Sequence, residues 1–226
     1  MQASVTLKQL FEESFARFRD RPAFVSMGVA LSYGEVDALS RDFAGYLCND
    51  LGLTPGERVA IMLPNLLQYP VALIGALRAG LVVVNVNPLY TATELEFQLE
   101  DSGAAAIVVL ENFARTLAQA LPRTRVRHVI TTQVGDLFTA LRRWLVNFAV
   151  KRVRRMVPAW RIPGALSLRQ ALARGRALGA PEVQLEADDL AREAVGAAGK
   201  RARDVHRRGG YSVTRWSCTR AYPRGY

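Results

Sequence analysis

Cysteine is scarce in this chain of 226 residues: only Cys48 and Cys218 occur. They lie far apart and form no CxxC pair, which argues against a disulfide framework and a structural zinc site and fits a reducing, cytoplasmic setting. Histidine is equally rare. His128 and His206 have no ligand set near them in sequence, so neither marks a metal or catalytic centre. The longest apolar stretch, Val71 to Val86, is interrupted by Gly75, Arg78, Gly80 and Asn85. It falls short of the ~20 apolar residues that span a bilayer. The segment Met1 to Phe11 carries Lys8 but no continuous apolar core, so no secretory signal is expected. Hydroxyl side chains are missing from one long stretch, with no Ser or Thr between Ser167 and Ser212.

What is present is a hydrophobic half of the composition, enough to bury a sizeable core. The net charge of +10 is unevenly spread. Residues 1–136 hold 11 Lys/Arg against 14 Asp/Glu, 137–190 hold 10 against 4, and 191–226 hold 9 against 2. The basic excess therefore belongs to two late segments, and a nucleic-acid-binding role for the whole chain is disfavoured.

Periodicity orders the first part of the chain. Leu7, Leu10, Phe11, Phe15 and Phe18 predict a helix, and Ala23–Met27 with Ala30–Tyr33 predict a strand pair around Gly28. A helix through Val36, Leu39, Phe43 and Leu47 follows. Arg58–Leu63, Leu66–Ala79 and Leu81–Val86 then read as strand, helix and strand, a βαβ unit. Thr91 and Glu94 have capping-box spacing for a helix Ala92–Asp101 stopped by Gly103. Strand Ala104–Leu110, helix Phe113–Ala120 and strand Val126–Thr131 continue the alternation, which predicts a parallel sheet covered on both faces. Residues 137–160 are helical in pattern and strongly basic, broken at Pro158 and Pro163, and Ser167–Arg174 reads as a short helix. Beyond Arg192 no periodicity survives.

The segment Gly52 to Ala104, GLTPGERVAIMLPNLLQYPVALIGALRAGLVVVNVNPLYTATELEFQLEDSGA, resembles the N-terminal domain of acyl-CoA synthetases in the adenylate-forming superfamily. Val84-Asn85-Val86-Asn87-Pro88-Leu89-Tyr90-Thr91, with Glu94-Leu95 and Gln98-Leu99 after it, is similar to the long-chain fatty-acid enzymes in particular. Leu31-Ser32-Tyr33-Gly34-Glu35 upstream, and Val146-Asn147-Phe148 through Met156-Val157-Pro158-Ala159-Trp160 and Ile162-Pro163-Gly164-Ala165 downstream, extend the likeness. It runs over residues 4–190 and implies the N-terminal portion of an AMP-dependent ligase domain, an incomplete α/β parallel-sheet subdomain. The residues that carry it are mainly core positions such as Val59, Ile61, Val83 and Val84.

The resemblance implies a two-step reaction, in which a fatty-acid carboxylate attacks the α-phosphate of ATP and coenzyme A thiol then displaces AMP, with Mg²⁺ at the phosphates. It also implies a Ser/Thr/Gly-rich phosphate loop soon after Asp188-Asp189-Leu190-Ala191. The sequence reads instead Arg192-Glu193-Ala194-Val195-Gly196-Ala197-Ala198-Gly199-Lys200-Arg201. Gly196–Lys200 imitates a Walker loop only superficially, since position 194 is Ala and position 201 is Arg. Loss of the pattern, arginine-rich composition and an early end coincide near Arg192, which points to truncation or a frameshift. The expectation is a basic, disordered tail over 191–226, inactivity of the chain alone, and no residue with an assigned catalytic, cofactor-binding or metal-binding role.

On a helical wheel Leu141, Leu145, Phe148, Ala149, Val153 and Met156 share one side, with Arg143, Asn147, Lys151 and Arg154 opposite. The expectation is a helix packed by its apolar side with a solvated basic face. The alternative is weak contact with an anionic membrane through Arg143, Lys151 and Arg154, peripheral at the inner membrane surface. Asp188 and Asp189 alternate sides on an extended chain and make no shared site. Two further readings remain: a noncatalytic peripheral membrane or interaction module, and a tail with Tyr211, Trp216 and Tyr222 that binds nucleic acid without specificity. No specific nucleic acid is expected.

Overall fold

A computed structural model describes residues 7–181 and 192–193, with side chains from residue 11 to 181. Helix α1 (Leu7–Arg17) leads into a hairpin of β1 (Pro22–Ser26) and β2 (Val29–Ser32). Ser26 pairs with Val29, leaving Met27 and Gly28 as the two-residue turn, both at positive φ (51° and 71°). That is the turn geometry whose twist matches right-handed strands, and Gly28 adopts it without a Cβ penalty.

The remaining strands form one six-stranded sheet in the order β7-β6-β5-β3-β4-β8, and every pairing in it is parallel. They are β3 (Arg58–Met62), β4 (Val82–Asn85), β5 (Ala106–Leu110), β6 (His128–Thr132), β7 (Leu166–Ser167) and β8 (Arg192–Glu193). Side chains alternate across the sheet into two cores. Val59 and Ile61 face the layer of α1, α2 (Tyr33–Gly45), α3 (Gln68–Arg78) and α7 (Leu168–Leu178). Ala60 and Met62 face Leu95 and Leu99 of α4 (Ala92–Ser102) and Leu117 of α5 (Ala114–Ala120). Burial on both faces explains why these strands read as unbroken apolar runs. The expected elements are present, with ends shifted by at most four residues except in the basic segment, where the helical pattern of 137–160 is realised over Ala140–Val153. The short helix expected at Ser167–Arg174 continues to Leu178, and β7 and β8 had no counterpart in the sequence reading.

Three helices start on reciprocal caps. Ser32 with Glu35, Thr91 with Glu94, and Ser167 with Gln170 each exchange side-chain and backbone hydrogen bonds, satisfying amides that the first turn cannot pair internally. In the second, the Thr91 amide donates to Glu94 Oε2 at 2.9 Å and the Thr91 hydroxyl at 2.8 Å. Donation from the amide, then from the hydroxyl, holds the Glu94 carboxyl below its usual range.

The layer of α2, α3 and α7 is set by backbone contact and one buried ion pair. A methyl group on Gly175 of α7 would lie 1.7 Å from the Asp42 carbonyl oxygen, and one on Gly45 would lie 2.3 Å from that of Gly179. Only hydrogen fits at these crossings. Buried Arg78 reaches from α3 to Asp37 of α2, with Nη2 at 2.5 Å from Oδ1 and Nη1 donating to the Asp37 carbonyl at 2.9 Å. Its guanidinium lies over the Phe15 ring, 5.1 Å from the centroid, which draws α1 into the same joint. Half-buried Cys48 donates weakly to the Ala79 carbonyl at 3.8 Å, and burial raises its thiol pKa, so it is a packing residue.

The basic segment departs from the favoured expectation. Helix α6 (Ala140–Phe148) continues through one π turn, Ala149–Val153, and ends at Arg154. Arg143, Val146 and Asn147 turn toward the domain, Lys151 and Arg154 stay exposed, and the apolar side faces solvent. Asn147 Oδ1 accepts from the Gly135 amide at 2.8 Å, half-buried Val146 packs on the main core, and Leu141, Trp144, Leu145 and Phe148 are exposed. Specific polar anchors override the ordinary preference for turning the apolar stripe inward.

Two outcomes test this account. Gly175→Ala must push α7 off α2, a strain on the order of 1–3 kcal/mol or more that lowers the melting temperature by roughly 3 °C per kcal/mol. Glu94 has a depressed folded pKa, so its stabilisation of α4 is present above the unfolded value of 4.5 and is lost as pH falls through the folded one. Amide exchange in the first turn of α4 should accelerate below pH 4.5 relative to the core strands, and Glu94→Gln should remove that pH dependence.

Candidate functional site

Open parallel sheets present ligand-binding surfaces at the carboxyl ends of their strands, where loops diverge and backbone groups are left unpaired. Here a cleft of about 430 Å³ opens at the ends of β5, β6 and β7. Glu111 follows β5 directly, Thr131 and Thr132 close β6, Gln133 and Asp136 lie in the next turn, and Ser167, Arg169 and Gln170 start α7.

Gln133 is the centre of this arrangement. Its amide donates to Asp136 Oδ2 at 2.8 Å, beside the Thr132 hydroxyl, which donates to the same oxygen at 2.9 Å. Its side-chain Nε2 donates to Glu111 Oε1 at 2.9 Å. Its carbonyl accepts from Gln68 Nε2 at 2.7 Å, and Gln68 thereby ties the start of α3 to the turn after β6. Lys151 Nζ approaches the other Glu111 oxygen at 3.8 Å. A second groove of about 290 Å³ shares Gln133 and is lined by Arg143, Trp144, Asn147, Phe148, Lys151 and Arg152.

Chemically the cleft is a rigid polar surface. The Thr132 hydroxyl donates to the Asp136 oxygen that also accepts from the Gln133 amide, and the Thr131 hydroxyl points to the Leu166 carbonyl at 3.4 Å, so both hydroxyls are engaged within the fold. Among the described residues no group of three or more His, Cys, Asp and Glu could hold a metal ion. The two carboxylates, Glu111 and Asp136, oppose a polyphosphate, and the Gln133 amide that could have received one is already taken.

The residues singled out in the sequence lie elsewhere. His128 opens β6 at the opposite end of the sheet; burial lowers its pKa, Arg127 lowers it further and Glu57 opposes them. Arg143 is half-buried against Gly135, Lys151 leans toward Glu111, and Arg154 is exposed at the end of the π turn. Asp188, Asp189, Gly196–Lys200, His206 and the tail aromatics fall outside the described residues. Glu111, Gln133 and Asp136 went unread in the sequence, although polar residues immediately after apolar strands are the available signal for such a site.

A family model described as AMP-binding enzyme matches residues 11–191. The chain belongs to the AMP-binding enzyme family. Over 186 residues it is 52% identical to the long-chain-fatty-acid–CoA ligase of Escherichia coli O157:H7, covering 82% of this chain and 33% of that protein. Its identity to the Yersinia pestis enzyme of the same name is 53% over 171 residues, covering 76% of this chain and 30% of that one. The solved long-chain-fatty-acid-CoA ligase of Archaeoglobus fulgidus shares the fold, with a TM-score of 0.63 at 20% identity, covering 86% of this chain and 35% of that one. The chain thus spans about a third of the length of these AMP-binding relatives. Its parallel sheet corresponds to the N-terminal part of the adenylate-forming acyl-CoA ligase fold.

The role of Asp136 in fixing the cleft is measurable. Asp136→Ala leaves the Gln133 amide and the Thr132 hydroxyl without their acceptor and should cost about 1–3 kcal/mol in denaturant unfolding. Exchange of the Gln133 amide should accelerate, while amides in β3 and β4 keep their native-state protection.

Proposed function

We propose that this chain supplies the N-terminal α/β layer of a long-chain fatty-acid–CoA ligase, which joins a fatty acid to coenzyme A at the expense of ATP. The carboxylate displaces pyrophosphate from ATP to give an acyl-adenylate, and the coenzyme A thiol then displaces AMP to give the thioester. The observation that carries this reading is identity of about half across 82% of the chain to proteins named for that activity. ATP and coenzyme A are substrates in this reading, and Mg²⁺ would accompany the nucleotide. In this reading the chain, which spans about a third of its relatives' length, contributes a structural layer and does not turn over alone.

The chain is read as cytoplasmic and as making weak contact with anionic membrane through the basic segment that includes Arg143, Lys151 and Arg154. A noncatalytic peripheral membrane or interaction module is the competing reading, favoured by the exposed apolar side of α6. Among the described residues no helix is long and apolar enough to cross a membrane. No specific nucleic acid is proposed as a partner, given the acidic balance of residues 1–136.

Pyrophosphate release with ATP, Mg²⁺, oleate and coenzyme A separates the possibilities. The chain alone should give the no-enzyme rate. Turnover by the 226 residues would overturn the assignment of a purely structural contribution.

A further inference from the structure

The outward stripe on α6 follows the spacing i, i+3, i+4, i+7 of one helical face: Leu141 is 72% exposed, Trp144 61%, Leu145 51% and Phe148 48%. The Trp144 and Phe148 rings stack with centroids 5.5 Å apart and an interplanar angle of 16°. Three contacts fix the orientation. Asn147 accepts from Gly135, Val146 meets the core, and Arg142 Nη2 donates to the Met27 carbonyl at 2.5 Å with its guanidinium over Phe138. Arg142 also joins the helix to the hairpin turn, where Val25 and Met27 are exposed as well.

Charge decides what such a face meets. Residues 137–181 contain ten Lys/Arg and no Asp or Glu. Arg174 and Arg176 are paired with Asp50 and Asp42, whereas among the described residues Arg152, Arg154 and Arg155 have no carboxylate partner. These three follow the stripe directly. A second copy of this chain packed stripe to stripe would set like charges against each other, while an anionic surface complements them. The second groove lies on the flank of the stripe, between Trp144 and Phe148 on one side and Gln133 on the other. A helix lying in a bilayer with Leu, Trp and Phe inserted holds its flanks at headgroup depth.

We propose that α6 docks on a bilayer containing anionic phospholipid, with Leu141, Trp144, Leu145 and Phe148 entering the acyl boundary and the flanking groove of Arg143, Asn147, Lys151 and Arg152 receiving headgroup phosphate. This rests on the membrane contact proposed above and is independent of the ligase reading. It relocates that contact from a purely cationic face to an apolar stripe with cations beside it. Lys151, 3.8 Å from Glu111 in the free chain, is within reach to exchange that carboxylate for phosphate.

The test uses the full chain with Trp160→Phe and Trp216→Phe, which leaves Trp144 as the sole reporter of three tryptophans. With phosphatidylglycerol/phosphatidylcholine vesicles its emission should shift to the blue and be quenched by brominated acyl chains. Pure phosphatidylcholine should bind at least tenfold more weakly. Leu145→Ser with Phe148→Ser should reduce vesicle co-sedimentation more than tenfold while the chain stays folded by circular dichroism, because neither side chain belongs to the buried core. Lys151→Glu with Arg152→Glu should abolish the preference for anionic lipid. Emission from Trp144 that stays water-like on saturating vesicles, equal binding of the serine variant, or equal affinity for neutral and anionic vesicles each overturns the proposal. So does a blue shift that grows with protein concentration in the absence of lipid, which assigns the face to self-association. None of these readouts depends on pyrophosphate release, so loss of one reading leaves the other standing.

Discussion

Arg78 sits beneath the Phe15 ring with its guanidinium pressed against Asp37, in a part of the molecule that water does not reach. A charge there is tolerable only because its partner is in place. Removing either member leaves the other desolvated, a loss of about 3–5 kcal/mol where such pairs have been broken. The pair fixes α2 against α3, and Arg41 continues the network by holding the second Asp37 oxygen at 2.8 Å. With α2 fixed, α7 can approach its backbone through Gly175 and Gly45, and the face of the sheet behind them is closed. The sheet positions the polar cleft, so the geometry around Gln133 depends on a joint built on its covered face.

Much of the architecture was legible in the sequence because it is encoded locally. Alternating strand and helix periods, the Thr91/Glu94 cap and the stop at Gly103 depend on neighbours within a few positions. β7 and β8 escaped notice because two residues carry no period. Gln133 and Asp136 meet within one turn, but Glu111 joins them only once β5 and β6 pair in register, which no local pattern announces. The helical wheel of α6 separated the two sides, but the apolar one was expected inward and lies outward, while of the basic one Lys151 and Arg154 are exposed as expected and Arg143 is half-buried. Amphipathicity says that two faces differ. Which one turns inward was decided by Asn147 meeting Gly135 and by Arg142 meeting Met27, partners 12 and 115 positions away.

Family membership and chemistry sit on different residues here. Core residues such as Val59, Ile61 and Val83, which lie inside the span that matches the family, pack β3 and β4 against their helices and say how this layer is built. The cleft at the strand ends supplies hydrogen-bonding groups already committed to one another, a firm platform without an unengaged nucleophile. An outward apolar helix on the same end of the sheet gives this layer a contact surface of its own.

The seating of α7 on α2 also imposes an order of events during synthesis. Arg176 reaches back to Asp42, and Asn49 to the Gly179 carbonyl, across 134 and 130 positions of chain. At about 5–20 residues per second, the ribosome delivers that interval in roughly 10 s. Throughout it, the strands laid down first have one apolar face without its last covering helix. Exposed apolar surface of this kind makes a nascent chain prone to association, and slow codons between residues 50 and 170 would lengthen the exposure without altering a single amino acid of the finished molecule.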